Sequence, residues 1–226
     1  MRTYLLILLI FLVPVMNRAG SGMPVPGMED QPDLFTALNL SDKGLSGDVF
    51  RIALKGLRKL EAVGKLRNSG ILTIVDFSQS SKNKRLYVID LVHKALLFNT
   101  YVAHGKNTGE EYAKHFSNVS GSCQSSLGFY VTKEEIVGSS VGLSLILDGV
   151  EKGFNDNALK REIIIHGAAY ATENFIRKTG RLGRSFGCPS LPPDQVKQVV
   201  EAIREGTCLF IYSRDDQYIR HSLLLN

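Results

Sequence analysis

Metal-ligand spacing is missing from this sequence: none of its five histidines and three cysteines pair at the short separations that zinc sites use, so neither a metal nor a cofactor is expected. Lysine and arginine blocks are missing too. The net charge of +5, from 27 basic and 22 acidic residues, is spread along the chain; it reads as a solvated surface and excludes a nucleic-acid patch. No internal repeat is present. The apolar stretch Leu5 to Met16 is twelve residues long, short of the roughly 20 that span a bilayer. Three cysteines leave one unpaired in any disulfide scheme, which suits a free thiol. Cys123 and Cys208 are the pair that an oxidising compartment could join.

What is present at the N-terminus is an export pattern. Arg2, the apolar stretch and the small residues Ala19 to Gly22 read as a cleaved signal over 1–22, with no stable membrane span after cleavage. No cysteine near it offers a lipid-anchor site. Residues 23–33, rich in proline and polar side chains, read as a flexible lead-in. The remaining 34–226 is long enough for one well-buried domain, expected in the periplasm or cell envelope.

That domain reads as mainly β with flanking helices, an α+β chain built on a sandwich or barrel. Seven short runs rich in β-branched and aromatic residues, ILTIVDF, RLYVIDL, ALLFNTYVA, LGFYVT, GLSLIL, EIIIH and TCLFIY, are punctuated by Gly, Ser and Asn. Before them, Phe50, Leu54, Leu57, Leu60 and Val63 fall at helical spacing, which predicts an amphipathic N-terminal helix over 46–66 with Ser46 as N-cap. A second helix is expected over 192–206, with prolines at its start and Gly206 at its end.

The chemistry concentrates in 163–190. The strand EIIIH delivers His166 to its end, a helical segment over 169–177 closed by Gly180 and Gly183 turns the chain back, and the loop SFGCPS presents Cys188 between Gly187 and Pro189. A thiol attacks as its thiolate, and an imidazole titrating near neutrality can take its proton and return one to a leaving amine. A backbone N–H of the Gly187–Cys188 turn can face the resulting oxyanion. A buried thiol and a hydrogen-bonded structural histidine fit the same residues. His104 ends an apolar strand just as His166 does and is the rival base; His93, His115 and His221 read as surface groups.

The HG pair followed by SxGC resembles the signature of the YkuD-type L,D-transpeptidase catalytic domain, and RSxGCP resembles its murein L,D-transpeptidase branch. The likeness extends through LTIVDFSQSSKNKRLYVIDL, LLFNTYVAHGKNTG, FSNVSGSCQSSLGFYVT and LDGVEKGFNDNA, over about residues 34–213. It implies an L,D-transpeptidase-like β-sandwich or barrel, a cysteine acyltransferase acting on peptidoglycan stem peptides. Cys188 is then the nucleophile, His166 its partner, and the Gly167 carbonyl the group that orients the histidine.

By the same resemblance, Gly187 and Cys188 supply oxyanion N–H groups. Ser185 is the motif hydroxyl, with turn capping as its other reading. His104, in VAHGKNTG, lines the cleft with SSLGFYV, where Ser125 and Ser126 replace a Thr-Pro. Many family members carry Arg or Asn within two residues after the cysteine, whereas Pro189 and Ser190 stand here. Arg184 or Arg181 is the expected substitute, a solvated basic loop being the alternative. Attack of water in place of an amine makes the same residues an L,D-carboxypeptidase, and a non-catalytic envelope-binding module is the third reading.

Overall fold

The computed structural model describes residues 31–226; the expected signal at 1–22 and nearly all of the expected lead-in at 23–33 lie outside the described residues. Helices α1 (Gln31–Ala37) and α2 (Gly47–Ala62) come first, then β1 (Ile71–Asp76), β2 (Leu86–Asp90), β3 (Ala95–Thr100), β4 (Gly128–Gly138), β5 (Gly142–Gly149) and β6 (Ile164–Gly167). A single 3-10 turn (Ala169–Ala171) leads into α3 (Glu173–Thr179), followed by β7 (Ser190–Leu191), α4 (Val196–Ile203), β8 (Cys208–Tyr212) and α5 (Asp216–His221).

All eight strands form one sheet in the order β3-β2-β1-β8-β4-β5-β6-β7. β1 is buried along its whole length, as a strand covered on both faces must be, and it runs parallel to β8 and antiparallel to β2. The two edges of the sheet nearly meet. Just beyond β3, Ala103 donates to the Ser190 carbonyl at 2.9 Å and Ser190 donates back at 3.2 Å, an antiparallel bridge that brings the chain after β3 against β7. Of the two architectures expected from the strand pattern, the barrel-like one is realised.

α2 covers the sheet because its apolar residues share one face. Val49, Phe50, Ala53, Leu54, Leu57 and Leu60 are buried, and the Ser46 hydroxyl accepts from the Asp48 amide at the N-cap. The helix lies close to the sheet at Gly56, where a Cβ would stand 2.0 Å from Phe129 Cζ; Phe129 is itself fully buried and stacked on Phe210 at 4.1 Å between centroids. Leu225 joins the same buried cluster, and Lys55 Nζ on α2 donates to its carbonyl at 2.6 Å.

The differences from the sequence reading are local. α2 stops at Ala62, four residues before the expected end, because Gly64 turns the chain with φ +67°. The helical segment expected over 169–177 is split at Thr172, whose hydroxyl accepts from the Phe175 amide and so starts a new helix. α4 begins at Val196, after Pro192 has accepted from both Gln195 and Val196 in a preceding turn. β7, two residues long, and α5, capped by Asp215, had no periodic signal long enough to read. All three cysteines are free thiols; Cys208 is wholly buried in β8, and Cys123 lies in the loop before β4. Among the described residues no helix is long and apolar enough to cross a membrane, and no cluster of His, Cys, Asp and Glu could hold a metal ion.

Gly56→Ala should destabilise the fold although alanine is the better helix former. The gain of about 1 kcal/mol in helix propensity is outweighed by roughly 1–3 kcal/mol of overpacking against a ring that has no room to move. Urea unfolding should show the loss as a lower midpoint at an unchanged slope; an equal or higher midpoint contradicts the close helix–sheet contact.

Candidate active site

The site forms where β6 and β7 run in parallel, His166 opposite Ser190 and Gly167 opposite Leu191. His166 is 8% exposed. Its Nδ1 lies 3.1 Å from the carbonyl oxygen of Gly167, and its Nε2 lies 3.0 Å from Ser190 Oγ. A carbonyl can only accept, so Nδ1 carries the proton and the neutral ring has its lone pair on Nε2. Burial, the larger influence, pulls the His166 pKa below its ordinary value, and the Gly167 carbonyl opposes the shift. Beyond Ser190 the chain of polar groups continues to Tyr170, whose hydroxyl is 3.0 Å from Ser190 Oγ.

Cys188 is half-buried on the turn before β7, and its Sγ lies 3.7 Å from the Glu162 carbonyl oxygen. The ladder register, carried back two residues from His166–Ser190, sets Ile164 beside Cys188. In agreement, the Ile164 amide favours the thiolate, as do the Cys188 amide and the Arg161 charge. Burial exceeds them and holds the thiol pKa above its ordinary value. Both shifts therefore favour a neutral thiol and a neutral imidazole at rest.

The turn is held from within and from behind. Ser185 Oγ accepts from the Gly187 amide at 3.0 Å and donates to the Cys188 carbonyl at 2.6 Å, so this hydroxyl caps the turn. Gly187 has φ +137°, a region that side chains disfavour, and its carbonyl accepts from Ser125 Oγ at 2.9 Å. With the Gly187 N–H engaged by Ser185, the Cys188 amide is the donor that the turn can turn toward an oxyanion. Phe186, between them, is 75% exposed, with Lys106 Nζ 4.3 Å above its ring.

His104 sits in a different network. It is fully enclosed, its Nδ1 2.8 Å from Arg85 Nη2 and its Nε2 3.2 Å from the Gly109 carbonyl oxygen. Arginine only donates, so Nδ1 accepts and Nε2 donates; neither nitrogen is open to the thiol. Burial, and then the charge of Arg85, push its pKa down to about 3. Its backbone does reach the site, for its carbonyl accepts from the Ser185 amide at 2.9 Å. Arg184, expected to face substrate, donates to the carbonyls of Lys106 and Gly109 and pairs with Glu110 at 2.6 Å, and Arg181 pairs with the other oxygen of Glu110 at 2.8 Å. Both arginines therefore brace the loop that follows His104.

Three site groups escaped the sequence reading. Arg161 binds the carbonyls of Ser117 and Gln124 at 2.7 and 2.6 Å and the hydroxyl of Ser126, and its charge reaches Cys188. In the sequence it is one cation in a run of mixed charges. Ser190 and Tyr170 are hydroxyl residues with no recognisable local pattern; the position of Tyr170 four residues after His166 was the available signal.

In comparison with known proteins, the chain is similar to an L,D-transpeptidase from Mycobacterium smegmatis, at 12% identity over 64% of this chain and 59% of that one, with a TM-score of 0.39. It is similar also to a variant of the helical cell shape determining protein Pgp2 from Campylobacter jejuni, at 13% identity over 72% of this chain and 57% of that one, with a TM-score of 0.44. It thus spans less than two thirds of the length of these chains. No curated protein matches it. The family model for the L,D-transpeptidase catalytic domain matches residues 41–212, which takes in the closed sheet, the His166 strand and the Cys188 turn, and the chain belongs to that family.

Proposed function

We propose that this protein is an exported cysteine acyltransferase that acts on peptidoglycan stem peptides through a thioester on Cys188. The observation that carries the reading is the β6–β7 register, which sets a tautomer-fixed His166 opposite Ser190, two residues from a thiol on a stiff glycine turn. Cys188 attacks the carbonyl of the stem diamino acid, bonded through its L-centre to a terminal D-residue. His166 takes the thiol proton and passes it to the departing amine, and the Cys188 amide faces the oxyanion. The thioester is then resolved by an amine from a neighbouring stem. Water in its place gives the carboxypeptidase outcome.

The neutral resting pair makes His166 a general base. Its folded pKa is depressed, so the base is available at neutral pH, and activity is lost only as pH falls through a value below the ordinary 6.5. The acid limb of kcat/KM should therefore lie below 6.5. A limb well above that value contradicts a buried neutral imidazole.

Incubation of the purified protein with muropeptides sorts the readings. Cross-linked dimers support the transpeptidase, trimmed monomers the hydrolase, and unchanged substrate the binding module. Cys188→Ala should keep the thermal midpoint and lose turnover by at least about a thousandfold, because the covalent step is deleted. Retention of most activity sinks the mechanism.

The two histidines should fail in different ways. His166→Ala should cost about a hundredfold or more in turnover with little change in stability. His104→Ala should lower stability by about 1–3 kcal/mol, since it leaves a buried Arg85 donor without its acceptor. Paired melts and rate measurements check this; a turnover loss at His104 without a stability loss reverses the assignment.

A further inference from the structure

We propose that Ser190 is the proton relay between Cys188 and His166, held in that role by the Tyr170 hydroxyl. The inference rests on the acyltransferase reading and names a further residue of the same site. The direction of every proton in the chain follows from one carbonyl. Gly167 accepts from Nδ1, so Nε2 must accept; Ser190 has a single hydroxyl proton and gives it to Nε2; its oxygen must then accept from Tyr170. Ser190 is fully enclosed, so water does not compete for these bonds.

In this arrangement the Nε2 lone pair is already filled by Ser190, and the thiol rests against the Glu162 carbonyl instead. Direct transfer from sulfur to imidazole would first have to break the Ser190 bond. Transfer through Ser190 does not. Cys188 stands two residues before Ser190, and its charge reaches Tyr170, whose hydroxyl is 3.0 Å from Ser190 Oγ; the Ser190 oxygen keeps a second lone pair for a donor besides Tyr170. The S–H bond breaks as its proton joins the Ser190 oxygen, while the original Ser190 proton passes to Nε2. One O–H is lost and one formed. The products are a thiolate and an imidazolium, with no other reactant consumed.

Tyr170 keeps Ser190 pointed the right way. Its donation occupies the Ser190 oxygen so that the serine proton stays on the His166 side, and its own position is fixed by the carbonyl of Tyr170 accepting from the Gly183 amide at 2.8 Å. The titratable and charged groups around the relay are Tyr170 from the 3-10 turn and Cys188 from the loop, with Arg161 and Glu162 facing the thiol; α4 and β5 present Val196 and Ser144, which do not titrate.

The test is single-turnover acylation of the full protein by a carbapenem, whose strained lactam reacts with the thiolate without an acceptor stem, followed by intact-protein mass spectrometry in mixtures of light and heavy water. The wild type should show a curved proton inventory, with two protons in flight. Ser190→Ala should acylate about a hundredfold more slowly, and Ser190→Thr, which keeps the hydroxyl, should return to within a few-fold of wild type with the curvature restored. Tyr170→Phe, which removes one oxygen outside the seam, should slow acylation about three- to tenfold and keep the curvature. A structural role alone would lower the thermal midpoint and leave the inventory unchanged. A linear wild-type inventory, or Ser190→Ala reacting at the wild-type rate, overturns the relay while leaving the acyltransferase reading intact. A wild type that takes no acyl group on Cys188 overturns both.

Discussion

The bridge between Ala103 and Ser190 is the constraint on which the site depends. A sheet with free edges would leave β7, two residues long, paired on one side only; the bridge pairs it on both, with β6 along one edge and the chain after β3 along the other. A segment that short has little stability of its own, and double pairing is what fixes it. Cys188 precedes it by two residues and His166 lies opposite it. The proposed nucleophile and its proposed base are held by the ladder that closes the barrel-like sheet.

Behind this seam lies a support made of buried polar groups. Arg85, fully enclosed and with its pKa pulled down to about 9 by burial, donates to the carbonyls of Val102 and Gln79 and to His104. It thereby fixes the strand extension that carries Ala103. His104 passes the ordering on to Gly109, where Arg184 takes hold and ties the loop to Glu110. Partly satisfied buried networks of this kind are costly, but a complete one rigidifies its surroundings. Arg161 does the same from the other side, fastening the 117–126 loop against which Gly187 turns.

The two sides also differ in what they leave open. On the Arg85 side the histidine accepts from a cation, whereas His166 meets a hydroxyl, and the His104 pKa lies far below neutrality, so it has no titration to offer. On the Cys188 side the shifts are smaller in consequence: a thiol held up by burial but countered by Arg161 and two amides, and an imidazole held down by burial but countered by Gly167. Such a pair is neutral at rest.

Elements long enough to show a period were readable from local residue order. The α2 stripe, the seven β-branched runs and the HG and SxGC motifs were all legible, because side-chain alternation and helical spacing are local properties of the chain. The residue pattern alone left His104 as a rival to His166, since each ends an apolar strand before a glycine, and the resemblance of the HG and SxGC motifs favoured His166. In the fold, Arg85, just before β2, lies against His104, and Ser190 from β7 lies against His166. The same holds for Arg184 and Ser185, whose candidate partners lay far along the chain or inside a turn. Hydrogen-bond partners are chosen by proximity in space, and here that proximity follows from closure of the sheet, a long-range event that no local window of residues contains.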